Sequence, residues 1–320
     1  MGREVVWVGL AVLAVVVVVV DISLRRLFGF GNPLLYVADE QIGYLLAPNQ
    51  DVRRFGNRIL INDYSMRGEA IAPTRSSDTL RVLIVGDSIA NGGWWTDHDE
   101  TISARLQHHL ATSLENLPFK TAEVLNASAN SWGPRNELAY IRAYSCFEAQ
   151  VLVLLINTDD LFATEPTPVQ VGRDRNYPAR RPPFALAEVI GRYVLPPASI
   201  PELEVVRAEG GDRVGKNLEA IRQIQSIVTQ QGGHLVLVMT PLLRELGSPG
   251  PRDYELDARD RLTVFTQQHQ IPYLDMLSVL NTQDDPAQLY RDHIHFNADG
   301  NQLIAGQMMS NVLERAIALR

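Results

Sequence analysis

Cysteine is almost absent from this sequence. Of 320 residues only Cys146 carries a thiol, so an intramolecular disulfide and any Cys-x-x-Cys metal motif are excluded. Its setting, Tyr-Ser-Cys-Phe just ahead of an apolar strand, reads as a buried, inert thiol. An excess of positive charge is also missing: 29 Lys and Arg face 37 Asp and Glu, for a formal net charge of -8. With no Lys/Arg-rich run to track a phosphate backbone, nucleic acid is excluded as the expected partner. No internal repeat is visible. No metal or other cofactor is implied either, because His108 and His109 are neighbours on a helical segment, where adjacent residues diverge by about 100°.

What is present is ordinary globular composition, 46% hydrophobic and 21% charged, with one exceptional stretch. Val5 to Val20 holds no polar residue. As a helix it spans about 24 Å at 1.5 Å per residue, a little short of a roughly 30 Å hydrocarbon core. Ile22, Leu24 and the snorkelling stems of Arg25 and Arg26 extend it. The competing reading is a cleaved signal peptide, but Asp-Ile-Ser-Leu-Arg-Arg follows where a small-x-small site would be needed. Residues 1–30 are therefore read as an N-terminal transmembrane anchor. Arg3 flanks it on one side and Arg25 and Arg26 on the other, so charge alone does not orient it.

Residues 31–79, rich in Gly, Pro, Asn and Asp, read as a linker with a small irregular lead-in module. From residue 80 to 320, strand-length apolar runs alternate with segments of helical period, which argues for one α/β domain on a parallel sheet. The runs are Leu80–Gly86, Ala122–Asn126, Ala149–Asn157, His234–Thr240 and Ile271–Met276. Asn157 ends the most apolar of them, as suits a central strand covered on both faces. Residues 158–211 break the rhythm with prolines and arginines and are read as an insertion carrying short helices. The last helix is expected to start at Asn297, an N-cap residue, with Leu303, Ile304, Met308, Val312 and Ile317 on its apolar face.

Ligands of an open parallel sheet bind beyond the carboxyl ends of its strands. Polar clusters fall there: Gly86-Asp87-Ser88, then Asn126 to Gly133, then Asn157-Thr-Asp-Asp160. A fourth, Asp292-His-Ile-His295, precedes the last helix. A serine hydroxyl is a weak nucleophile at neutral pH and needs a base, itself oriented by a third group. Asp292 and His295, three positions apart, are spaced for the carboxylate to accept from the imidazole while its other nitrogen faces Ser88. Each motif alone is more often a turn or a cap; their joint occurrence in the first and last loops of one domain points to a Ser88-His295-Asp292 triad.

These four blocks, in this order, resemble the SGNH/GDSL hydrolase family over about residues 80–320. The stretch from Glu40-Gln-Ile-Gly-Tyr44 to Arg67 is similar to the lead-in of exported members, including proteins tied to cell-surface polysaccharides. The resemblance implies a flavodoxin-like three-layer α/β/α sandwich. It also implies an oxyanion hole from the backbone N–H of Ser88, an N–H in the second block and a side-chain amide in the third. This sequence departs from the pattern twice. Ser128 stands where the family has glycine, which leaves the N–H. Asp159 stands where it has asparagine, and an ionised carboxylate cannot donate to an oxyanion. Either desolvation keeps Asp159 protonated, or Asn157, Thr158 or Asn130 supplies the donor, or the enzyme is slow. An α/β-hydrolase is excluded, since no mid-sequence G-x-S-x-G elbow occurs.

Trp94 and Trp95, just past Ser88, fit either stacking on a sugar ring or packing under their own loop. Asn130 and Asn157 are candidate substrate contacts. The arginines at 173, 175, 180 and 181 fit an acidic polymer or lipid headgroups, or a merely solvated insertion, and His293 reads as a bystander. The expected function is an extracytoplasmic serine esterase removing acyl groups, such as acetate, from a carbohydrate or lipid. An O-acyltransferase and a carbohydrate-binding protein of weak catalysis are the rivals.

Overall fold

The computed structural model describes residues 2–115 and 118–317. The valine-rich run forms α1 (Gly2–Ser23), continued by one π-helical turn, Leu24–Phe28, and closed by Gly29 in the left-handed conformation. Its apolar residues are exposed along the whole length, and its most apolar 18-residue window within Arg3–Phe28 has a mean hydropathy of 2.9, enough to cross a membrane by length and composition.

The segment expected to be irregular forms two antiparallel hairpins: β1 (Tyr36–Asp39) with β2 (Gly43–Leu46), and β3 (Gln50–Arg54) with β4 (Asn57–Ile61). Tyr36, Ile42, Tyr44, Val52, Ile59 and Met66 belong to the same buried cluster as one face of the main sheet, so the hairpins help to build the core.

The main sheet holds β5 (Thr79–Gly86), β6 (Thr121–Ser128), β7 (Val151–Asn157), β8 (His234–Thr240) and β9 (Tyr273–Asp275), all parallel, in the order β6-β5-β7-β8-β9. Between them come α2 (Ser88–Asn91), α3 (Ile102–Ala111), α4 (Pro134–Tyr144), α5 (Ala185–Tyr193), α6 (Pro201–Arg207), α7 (Arg213–Gln230), α8 (Asp253–Gln268) and α9 (Met276–Asn281). The last helix is α10 (Ala298–Ile317). Successive residues alternate across the pleat. Leu83, Val85, Leu152 and Leu154 pack towards α4, α7 and the hairpins. Val82, Ile84, Val151 and Val153 pack towards α3, α9 and α10. The result is a three-layer α/β/α sandwich, the architecture the resemblance implies.

Asn297 caps α10, its Oδ1 accepting from the N–H of Asp299 and of Gly300 at 3.1 and 3.0 Å. Ile304, Met308 and Val312 are buried on that helix and Leu303 is half-buried; the side chain of Ile317 lies outside the described residues. Strand order reverses at β5, because one connection leads outward to β6 and the next returns across it to β7. A crevice therefore opens between the carboxyl ends of β5 and β7. Gly86 ends β5 there, and a Cβ on it would lie 2.4 Å from the Leu155 carbonyl oxygen. Only glycine lets the strands close at this point.

Candidate active site

Ser88 is the first residue of α2, directly after Gly86 and Asp87. Asp87 caps that helix by accepting from the N–H of Ile89 at 2.8 Å, which fixes the turn and leaves Ser88 at the mouth of the crevice. As the first residue of the helix, Ser88 has a backbone N–H with no partner within it.

The loop Asp292–His295 enters from the C-terminal part of the sequence. His295 Nε2 lies 2.9 Å from Ser88 Oγ, and His295 Nδ1 lies 3.0 and 2.9 Å from the two Asp292 oxygens. Asp292 Oδ1 also accepts from the backbone N–H groups of Ile294 and His295 at 3.0 and 2.9 Å. Burial pushes the Asp292 carboxyl up, but these N–H donors and the imidazole outweigh it and hold it below its ordinary value. Asp292 thus stays ionised while it orients the ring. His293 is 85% exposed, with its Nδ1 3.9 Å from Asp292 Oδ1, and it lines the larger of the two clefts at Ser88.

Trp95 packs against the His295 ring with centroids 4.4 Å apart, and Trp94 stands edge-on to Trp95 and against Phe55. The Arg291 guanidinium lies 5.3 and 5.0 Å from the two indole centroids and 3.5 Å from Asp292. The tandem tryptophans therefore wall the imidazole and also line a cleft.

The two residues expected to join Ser88 on the oxyanion side differ in exposure. Ser128 is buried at the end of β6, its Oγ donating to Asn126 at 2.6 Å and its carbonyl accepting from Asn91 at 3.1 Å, and it lines neither of the clefts that reach Ser88. The two-residue extension of β6 beyond its expected end at Asn126 carries it into the sheet. Asp159 lines the larger cleft, and burial raises its carboxyl, with Arg244 opposing and Glu255 adding to the rise. Asn157 uses its amide elsewhere, donating to Asp87 at 2.9 Å and to Asp160 at 3.0 Å. Thr158 donates to Glu245 at 3.0 Å and accepts from Arg259 at 2.9 Å. Asn130 differs: its buried Oδ1 has no hydrogen-bond partner among the described residues, and the residue lines a cleft together with Ser88. With Oδ1 the buried end of the amide, the NH2 is the end Asn130 has to offer the cleft.

Two clefts meet at the serine. One, of about 440 Å³, is lined by Asp159, Glu165, Asp174, Gln170 and Arg207. The other, of about 360 Å³, is lined by Tyr36, Arg54, Trp94, Trp95, Asn130 and Arg291. Ser88, Ser131, Tyr177 and His295 border both.

Sequence reasoning missed the supports of this arrangement. Arg67, 2% exposed, donates to the carbonyls of Asn91, Gly93 and Thr96 at 3.2, 2.6 and 2.8 Å, and so clamps the loop that carries the tryptophans. Its burial lowers the guanidinium pKa to about 10. Tyr44 donates to the Asn130 carbonyl at 2.6 Å, and Trp132 donates to the Tyr44 carbonyl at 3.0 Å. Beneath Ser88 lie Asp87, Glu137 and Asp160, all buried and all raised chiefly by burial; neither Glu137 oxygen has a hydrogen-bond partner among the described residues. The signal available for Arg67 was its place in the lead-in block. Glu137 offered none, since it sits in a helix turn of mixed polarity.

The model of a family described as GDSL-like lipase/acylhydrolase matches residues 84–303. A structure of the acetyl xylan esterase AlAXEase is 14% identical, with a TM-score of 0.50, over 72% of this protein and 99% of that one. The acetylxylan esterase Axe2 from Geobacillus stearothermophilus is 14% identical, with a TM-score of 0.46, over 75% and 96%. The hydrolase LAE5 from the metagenome of Lake Arreo, Spain, is 17% identical, with a TM-score of 0.46, over 78% and 99%. No curated protein matches this sequence.

Proposed function

This protein belongs to the GDSL-like lipase/acylhydrolase family, and from that premise we propose that this ester-bond hydrolase uses Ser88, His295 and Asp292 to remove a small acyl group from a carbohydrate held at a membrane surface. One observation carries the reading: the 2.9 Å contact of the His295 imidazole with the Ser88 hydroxyl, with Asp292 behind it.

Ser88 Oγ attacks the ester carbonyl while its proton passes to His295 Nε2. The developing oxyanion is met by the Ser88 N–H and the side-chain amide of Asn130, in place of Ser128 and Asp159. Collapse expels the alcohol, which takes the proton back from His295. Water then attacks the acyl carbon, giving a proton to the same nitrogen, and Ser88 Oγ leaves as the acid is released, recovering that proton from His295. The carboxylates, amides and hydroxyls of the larger cleft suit an alcohol rich in hydroxyls better than a long acyl tail. The same fold serves a protein described as an acetyl xylan esterase. The exposed apolar α1 is read as the anchor, with the catalytic domain outside the cytoplasm.

An O-acyltransferase is the second reading, favoured by the presence of two clefts at one serine: a second sugar hydroxyl in one cleft would replace water on the acyl-enzyme. Turnover of p-nitrophenyl acetate with and without added xylo-oligosaccharide separates the two. Acetate release that vanishes in Ser88→Ala supports the hydrolase. Acetyl groups appearing on the oligosaccharide at the expense of free acetate support the transferase, and absence of both refutes each.

A further inference from the structure

Outside the anchor, several of the large apolar residues left in solvent cluster in one stretch. Phe184, Tyr193, Val194 and Leu195 are 63, 65, 71 and 55% exposed, and Ile190 40%. They sit on or just beyond α5, within residues 158–211, where no enclosing core explains them. Beside them stand Phe28 and Phe55, each 41% exposed, and Phe30 meets Tyr193 edge-on at 6.2 Å.

The position of this patch relative to α1 is set by specific bonds. Asp21 Oδ1 accepts from the N–H of Leu186 at 3.1 Å, and Arg25 donates to the Pro183 carbonyl at 3.1 Å while pairing with Asp21 at 2.7 Å. The apolar run of α1 ends at Val20. The end of any hydrocarbon slab around it therefore falls beside Asp21 and Arg25, where the start of α5 is docked. α5 has nine residues, or about 14 Å at 1.5 Å per residue, so no part of it lies far from that boundary. Arg180 and Arg181 are exposed just ahead of it and line a groove of about 690 Å³ with Arg192.

We propose that residues 180–195, with Phe28 and Phe55, form a second membrane contact: the apolar face of α5 lies in the interface of the same bilayer that α1 spans, and Arg180 and Arg181 meet its anionic headgroups. An interfacial helix with basic flanks is the form such contacts take. Arg192 and Pro33 border both this groove and the aromatic cleft that ends at Ser88. The cleft therefore opens beside the headgroup layer, and an ester carried on a membrane-associated molecule reaches the serine without leaving the surface. The proposal rests on reading α1 as a membrane span.

The test uses the intact protein in nanodiscs of phosphatidylcholine, with or without 30 mol % phosphatidylglycerol. Environment-sensitive labels are placed at Val194→Cys and, as a control on α8, at Val264→Cys. Cys146, buried and with its thiol pushed up to about 11, stays unlabelled at neutral pH. Quenching by headgroup-proximal nitroxide lipid at position 194 should exceed that at 264 at least about twofold. It should strengthen with phosphatidylglycerol, and Arg180→Glu with Arg181→Glu should remove that gain. Equal quenching at the two positions overturns the proposal. Carbonate extraction in parallel separates the premises: a retained protein with an unquenched position 194 sinks the α5 contact alone, whereas a released protein sinks the span and the contact together.

Discussion

The side-chain amide of Asn157 donates to Asp87 at 2.9 Å and, through the same nitrogen, to Asp160 at 3.0 Å. It is a strut between two buried carboxyl groups and is not free to meet an oxyanion. Asn130, whose buried Oδ1 has no partner among the described residues and which lines a cleft beside Ser88, is the donor proposed for that role. Asn130→Ala is expected to lower kcat about 100-fold or more, the usual loss for one oxyanion donor, with little change in KM. Steady-state kinetics on p-nitrophenyl acetate checks this; a change confined to KM would mean that Asn130 only binds substrate.

Asp159→Asn follows from the same geometry. Replacing the carboxylate with an amide adds a donor where the family has asparagine, so kcat on p-nitrophenyl acetate is expected to rise. An effect smaller than that of Asn130→Ala would place the donor at Asn130. A fall would mean that the carboxylate serves the substrate, as its place in the larger cleft permits.

Asp292→Asn is expected to leave the fold intact and to lower kcat about 10³- to 10⁴-fold, because an amide neither fixes the imidazole tautomer nor stabilises the imidazolium. Thermal melting and kinetics on one preparation check both halves.

Arg67→Ala removes the donor to three loop carbonyls. A charged hydrogen-bonding group of this kind is worth about 1.5–3 kcal/mol, so the melting temperature should fall. Because Arg67 acts through the loop of Trp94 and Trp95, tryptophan fluorescence should shift as well. A loss of stability with unchanged fluorescence would contradict the clamp.

Glu137 supplies a pH signature. Burial raises its carboxyl in the folded protein well above the ordinary glutamate range. Between the unfolded and folded values the native state holds a proton that the unfolded state has released, so stability from this site is full below the unfolded pKa and falls as pH rises. Glu137→Gln should therefore raise the melting temperature most at alkaline pH and leave it nearly unchanged below about pH 4. Melting curves across a range of about pH 4 to 9 check this; a gain independent of pH would contradict it.

The sheet and the candidate triad were legible because their signals are local. β7 is apolar throughout, Gly-Asp-Ser follows an apolar strand, and Asp292 and His295 share one loop. The hairpins were not, since β3 buries Gln50, Val52 and Arg54 in alternation and so shows no hydropathy pattern. Gln50 is held by Leu35 and Ala47, and Arg54 by Glu188, partners that exist only in the fold. Asn130 was one of several possible donors for a similar reason: what singles it out is the partners taken by Asn157 and Thr158, and these lie up to 101 positions away.

Covalent capture tests the pairing of Ser88 with His295 most directly. The intact protein is treated with a fluorophosphonate probe, digested and mapped by mass spectrometry. The expected result is a single adduct on Ser88, lost in Ser88→Ala and formed at least about 100-fold more slowly in His295→Ala. An adduct on another serine, or equal labelling rates with and without the imidazole, would contradict that pairing.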